Sequence, residues 1–199
     1  SNILIGDKGI RGLVIRNLTQ KISIVGMKGA ISSGESSGEV YVEAESGVPM
    51  NKLVRYTVDE GLSGLEMHLG LPGTVGGAVY MNSKWTSPVG YVGDAVYQAK
   101  ILTNLGEIQM VSKRYFQFAY DSSILQKTHE LVLSVVFALK KESKELLWKK
   151  ANESIAHRRN SQPQGVFTAG CTFQNISEGD AITFQTPNHT VSAGYLIDH

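Results

Sequence analysis

Short apolar runs divided by glycines open the chain: residues 3–5, 13–15, 22–25 and 40–44 gather aliphatic and β-branched side chains. Runs of this kind between turn formers predict β-strands. The period changes at Pro49. Leu53, Val54, Val58 and Leu62 recur at helical spacing, Pro49 suits a first helical turn, and Gly61 is a natural stop. Residues 96–103 and 107–111 flank Asn104-Leu105-Gly106 and predict a hairpin, and residues 131–139 predict a further strand. Residues 140–159 predict a charged amphipathic helix with Leu146, Leu147, Ala151 and Ile155 on one face. It halts before the polar stretch Asn160-Ser161-Gln162-Pro163, a candidate domain boundary. The last residues, from Ala193 onward, read as the start of a helix rather than its close, and Ser1-Asn2 runs straight into an apolar segment. Neither end has a polar fray, so the expectation is a piece of a longer chain.

One segment fits neither period. Gly61, Gly64, Gly70, Gly73, Gly76 and Gly77 are interleaved there with Leu62, Leu65, Leu69, Leu71 and Val75. Flexible linkers lack such bulky partners, so these glycines predict backbone held in special dihedrals inside packed structure. Within it, Gly70-Leu71-Pro72-Gly73-Thr74-Val75-Gly76-Gly77-Ala78 could converge backbone amides on a pyrophosphate. It is neither the dinucleotide fingerprint nor a Walker loop, since it lacks the closing Gly-Lys-Ser/Thr. On composition it reads equally as a buried turn.

Composition narrows the classes. The chain has 199 residues, 42% of them apolar, which is enough for a real core in one large or two small domains. Nineteen basic against 18 acidic residues leave a net charge of +1, so nothing marks a nucleic-acid or anionic-membrane surface. No apolar run approaches the ~20 residues needed to span a bilayer. The single cysteine excludes an internal disulfide and fits a reducing compartment. Asn-x-Ser/Thr triplets at Asn17, Asn152, Asn175 and Asn188 read as chance in such a setting. The five histidines do not cluster, so no metal site is expected.

Two side chains carry candidate chemistry. Cys171, in Ala169-Gly170-Cys171-Thr172-Phe173-Gln174-Asn175, is either a small buried hydrophobe or a proton donor. A thiol with an ordinary pKa of about 8.5 is mostly protonated at neutral pH and can protonate a carbanion. Tyr120, in Phe118-Ala119-Tyr120-Asp121-Ser122-Ser123, reads alone as a core or interface tyrosine. Arg158 and Arg159 end a helix, where the dipole favours cations.

Taken in order, these segments resemble the UDP-N-acetylenolpyruvoylglucosamine reductase family. Gly61-Leu62-Ser63-Gly64-Leu65-Glu66, then the 70–78 loop and Val79-Tyr80-Met81-Asn82, are similar to its flavin-binding signature. Ser1-Asn2-Ile3-Leu4-Ile5 resembles the end of its GGGSNLLV turn, and residues 9–15 are similar to the segment after that turn. Phe118, Ala119, Tyr120, Ser123 and Ile124 resemble its FxYRxSxF region, Arg158, Gln162 and Pro163 its RxxKQP stretch, residues 169–175 its GS/CxFKNP motif, and residues 193–198 its AGxLID motif.

The resemblance implies an α+β fold: an FAD-binding domain of the vanillyl-alcohol-oxidase (PCMH) type over residues 1–140, then the start of a substrate-binding α+β domain over residues 141–199. It implies FAD held by Ser1, Asn2, Gly70, Pro72, Gly73, Thr74, Gly76, Gly77 and Ala78. NADPH would be the reductant and UDP-N-acetylglucosamine enolpyruvate the substrate, contacted by Tyr120, Arg158 and Asn175. Cys171 and Tyr120 would be catalytic. The implied setting is cytoplasmic peptidoglycan precursor synthesis, serving wall biogenesis, cell shape and division. Oligomeric state is left open.

Departures from the pattern also matter. The family arginine after the tyrosine is Asp121 here, an anion where negative charge should develop. Ser161 stands where the family has lysine, and the NAGAYG stretch reads Asn82-Ser83-Lys84-Trp85-Thr86-Ser87. These changes motivate a second reading, a non-catalytic or diverged flavin-binding relative.

Overall fold

The computed structural model describes residues 3–28, 38–86, 89–162, 165 and 172–198. Ser1, Asn2, Cys171 and the 166–170 segment lie outside them. The chain divides into two units, residues 15–164 and residues 1–14 with 165–199.

The larger unit is built on an antiparallel sheet. Its strands are β1 (Ile22–Lys28), β2 (Glu39–Glu45), β6 (Val96–Leu102), β7 (Ile108–Ser112) and β8 (Leu131–Lys141), in the order β1-β2-β8-β6-β7. The short β3 (Leu62–Ser63) pairs with the end of β8. β2 shows why the sheet has one dry face. Val40, Val42 and Ala44 are buried and lie opposite Leu139, Phe137 and Val135 of β8. The period of two turns the intervening Glu39, Tyr41, Glu43 and Glu45 the other way, only partly covered. The central strand β8 spans the stretch expected to be a strand, and β6 and β7 form the expected hairpin through the turn at Gly106 (φ +80°).

Helices cover the dry face. Helix α1 (Met50–Asp59) buries Met50, Leu53, Val54 and Val58 and stops where Gly61 takes φ +68°. A Cβ at Gly61 would meet the Glu142 carbonyl at 3.0 Å. Helix α5 (Lys144–Ser161) is capped by Ser143, whose hydroxyl accepts from the Leu146 N–H at 3.1 Å. It begins later than the sequence expectation because Lys140 and Lys141 stay in β8, paired with Ser63 and Leu62. Its buried stripe is Leu147, Ala151 and Ser154, with Ile155 partly covered, while Leu146 faces outward. It packs on α1 and on the 3-10 turn Glu66–His68, within the 15–164 unit. Three short helices, α2 (Val75–Tyr80), α3 (Val92–Ala95) and α4 (Leu125–Thr128), and a small hairpin of β4 (Lys84–Thr86) and β5 (Val89–Tyr91) complete it.

Two expected strands do not form. Residues 3–5 and 13–15 are irregular, with Leu4 87% and Leu13 86% exposed. A strand exists by its ladder, and among the described residues no strand pairs with either run. Apolar content alone therefore misleads there.

In the smaller unit, helix α6 (Glu178–Thr183) is capped by Ser177, whose hydroxyl accepts from the Asp180 N–H at 3.0 Å. Helix α7 (Ala193–Asp198) forms where the sequence predicts a helix start, and the Asn175 side-chain oxygen accepts from the Ala193 N–H at 3.2 Å.

Candidate functional site

The 70–78 loop is partly a packing device. Its N–H groups at Leu71, Val75, Gly76 and Ala78 donate to the carbonyls of His68, Val48, Ser46 and Thr74. The Gly70 N–H donates to the Asn51 side chain at 2.6 Å. Gly76 is glycine for closeness: a Cβ there would meet Ser46 Cβ at 3.0 Å. The N–H groups of Gly73 and Thr74 have no partner among the described residues. Gly73 is exposed and holds φ +118°. The anion-cradling capacity expected of the loop therefore concentrates on those two amides, just ahead of α2.

Gly70, at φ +88°, gives Arg158 room: a Cβ there would lie 3.1 Å from Arg158 Cδ. The guanidinium stacks over Trp85, 5.2 Å from the ring centroid, and His157 meets the same ring edge-on at 5.4 Å. Burial pulls the Arg158 guanidinium below its ordinary value, but a guanidinium stays charged. Its Nε is buried without a hydrogen-bond partner. Nearby, His68 is 3% exposed, and burial together with the Arg158 charge pushes its pKa down to about 4. Its Nδ1 is likewise unpartnered. His68 is thus a neutral imidazole that adds no charge to the cation beside it.

Tyr120 and Asp121 are the central residues of a tight turn closed by reciprocal hydrogen bonds between Ala119 and Ser122, with Asp121 at φ +47°. Buried Asn82 fixes this turn. Its amide donates to the Ala119 carbonyl at 2.8 Å, and its oxygen accepts from the Gly93 N–H at 3.1 Å. Ser123 donates to the Tyr80 carbonyl at 2.7 Å, tying the turn to α2. The Lys84 ammonium sits 3.8 Å from the Tyr120 ring centroid.

β4 accordingly stands between two of the expected substrate residues. Lys84 engages Tyr120 and the next residue, Trp85, engages Arg158; successive strand residues point to opposite sides. Asn175 is exposed in the smaller unit, where it holds α7. Ser1, Asn2 and Cys171 lie outside the described residues. Sequence reasoning misses Lys84 and His68 as site residues. In the sequence Lys84 signals only as a departure from a motif, and His68 only as a lone histidine in an apolar segment. Among the described residues no cluster of His, Cys, Asp and Glu could hold a metal ion.

Comparison with known proteins places these features. A family model described as "FAD binding domain" matches residues 2–112. UDP-N-acetylenolpyruvoylglucosamine reductase of Halalkalibacterium halodurans is 31% identical over 175 residues, covering 88% of this chain and 54% of that protein. The Bacillus pumilus protein of the same name is 33% identical over 176 residues, with the same coverage. The crystal structure of the Thermus caldophilus UDP-N-acetylenolpyruvylglucosamine reductase superposes with a TM-score of 0.64 at 31% identity, over 78% of this chain and 52% of that one. The chain spans about half the length of the curated relatives it matches.

Proposed function

The chain belongs to the UDP-N-acetylenolpyruvoylglucosamine reductase family, and we propose from that premise that its protein is the NADPH-dependent flavoenzyme converting UDP-N-acetylglucosamine enolpyruvate to UDP-N-acetylmuramate. The observation that carries this is the 31–33% identity, over 88% of the chain, to relatives bearing that name. In this reading residues 1–140 are flavin-binding and residues 141–199 lead into the substrate domain. The enzyme works in the cytoplasm on peptidoglycan precursors and so supports wall growth, cell shape and division.

The described residues fit FAD at one point. The uncommitted N–H groups of Gly73 and Thr74, in an exposed turn whose glycine takes a positive φ, suit a diphosphate. By resemblance, Pro72, Gly76, Gly77 and Ala78 are further FAD-binding residues, as are Ser1 and Asn2. The chemistry a bound flavin supplies is two-electron hydride transfer, from NADPH and on to the enolpyruvyl double bond. The chain's own residues do the rest. Tyr120 and Arg158 orient the substrate, together with Asn175. As negative charge builds beside the substrate carboxylate, preorganised cations lower the barrier. Cys171 holds a proton at Sγ and delivers it to the remaining carbon.

The test is the absorbance spectrum of the purified full-length protein under anaerobic conditions. Bleaching on NADPH and recovery on the enolpyruvyl sugar nucleotide is the expected outcome; a protein that carries no flavin defeats the proposal. Asp121 supports a second reading, a flavin-binding relative that has lost this chemistry. Bound flavin, bleached by NADPH but not recovered by substrate, would establish that second reading.

A further inference from the structure

Lys84 is a half-buried cation with no anionic partner among the described residues. Its ammonium rests against the Tyr120 ring at 3.8 Å, so one side of it has lost water to an aromatic face. The ion pair present among those residues is Lys150–Glu66, at 3.6 Å; Asp121, although adjacent to Tyr120, forms none with Lys84. The turn beneath the ammonium is held by Asn82, Ser123 and Gln126, which donates to the Asp121 carbonyl at 3.0 Å. Antiparallel pairing with Tyr91 fixes Lys84 from the other end. A positive charge is therefore held in place at the one turn where residue 121 contributes a negative one. Arg158 does not serve that position, because it is engaged with Trp85, the neighbouring residue of β4.

We propose that Lys84 is the cation that receives the carboxylate of the substrate's enolpyruvyl group at the Tyr120 turn, an assignment that rests on the reductase reading above. An ammonium offers three donors and a compact charge, and the Tyr120 face supplies the positioning that a flexible lysine lacks. The charge reaches the turn from β4 instead of from the residue after the tyrosine. Asp121 is then tolerated because the cation no longer depends on that position.

Binding, measured without turnover, tests this. Calorimetry on the flavin-loaded full-length protein, with no NADPH present, compares UDP-N-acetylglucosamine enolpyruvate with UDP-N-acetylglucosamine, which lacks the carboxylate. Lys84→Met is expected to weaken the enolpyruvyl ligand about 10- to 100-fold, as for loss of a charge-assisted hydrogen bond, and to leave the other within about twofold. Lys84→Arg should retain most of the affinity, and Asp121→Arg should restore it in the Lys84→Met background. Equal loss for both ligands would place Lys84 on the diphosphate or in the fold and overturn the assignment. So would unchanged binding of both. Wild-type protein that binds neither ligand would overturn the reductase reading and this assignment with it.

Discussion

His68 illustrates how burial decides what a residue can do. Its ordinary pKa of 6.5 falls to about 4 in the fold. Above pH 6.5 both folded and unfolded states hold it neutral, so it contributes no pH dependence there. As pH falls below 6.5 the unfolded chain takes a proton that the folded chain refuses, and stability declines until about pH 4. The loss is on the order of 3 kcal/mol across that window. Urea unfolding of wild type and His68→Leu between pH 7 and 4 should show a shallower decline in the variant; parallel curves would contradict the account. Gly93 gives a steric counterpart. A Cβ there would meet Asn82 Oδ1 at 2.5 Å and Phe118 at 2.7 Å, so Gly93→Ala should destabilise by about 1–3 kcal/mol, read as a lower urea midpoint. A midpoint equal to wild type would mean that the Asn82 clamp yields easily.

At the scale of elements, local signals mark boundaries well when the deciding groups are close in sequence. Gly61 ends α1 and Gly106 turns the β6–β7 hairpin, whereas α5, capped by Ser143, starts beyond residue 140, where the sequence predicts it. Ser143→Ala should reduce stability by about 1 kcal/mol, measured by thermal unfolding, through loss of the cap on the Leu146 N–H. A change within error would show that other contacts set the start of α5. Elements whose partners are distant are less legible. Residues 13–15 have strand composition but no ladder, and residues 140–141 extend β8 because β3 pairs with them. The loop 70–78 is legible as special backbone. That most of its amides serve packing, leaving Gly73 and Thr74 open, is not.

For the whole molecule, β8 is the hub, paired with β2, β6 and β3. Phe137 lies on it fully buried, opposite Val42 and Val96, and Phe137→Ala should cost about 3–5 kcal/mol. That is a large share of a typical domain's ~5–15 kcal/mol, so the expected readout is a much lower thermal midpoint, or loss of the cooperative transition. Full retention of the midpoint would place the core elsewhere. Ligand linkage gives a global test of the flavin reading. At 100 times its dissociation constant, FAD should stabilise the full-length protein by about 2.7 kcal/mol, with riboflavin, which lacks the diphosphate, doing less. No thermal shift with FAD would remove the cofactor from the proposal.

Family membership is written in the order of the motifs, and the α1 helix, the β6–β7 hairpin and strand β8 are written in periodicity and glycine stops. Those signals act over a few residues, where dihedral preference and side-chain period suffice. Three-dimensional packing was needed to show that residues 3–5 and 13–15 are not strands, that Gly76 serves contact with Ser46, and that Lys84 and Arg158 meet different partners across β4. These depend on which backbone finds a ladder and on which side chains meet from 36 to 73 residues apart in sequence, as Lys84 meets Tyr120 and Trp85 meets Arg158. Local preference carries no information at that range, because contact there is set by packing rather than by neighbouring residues.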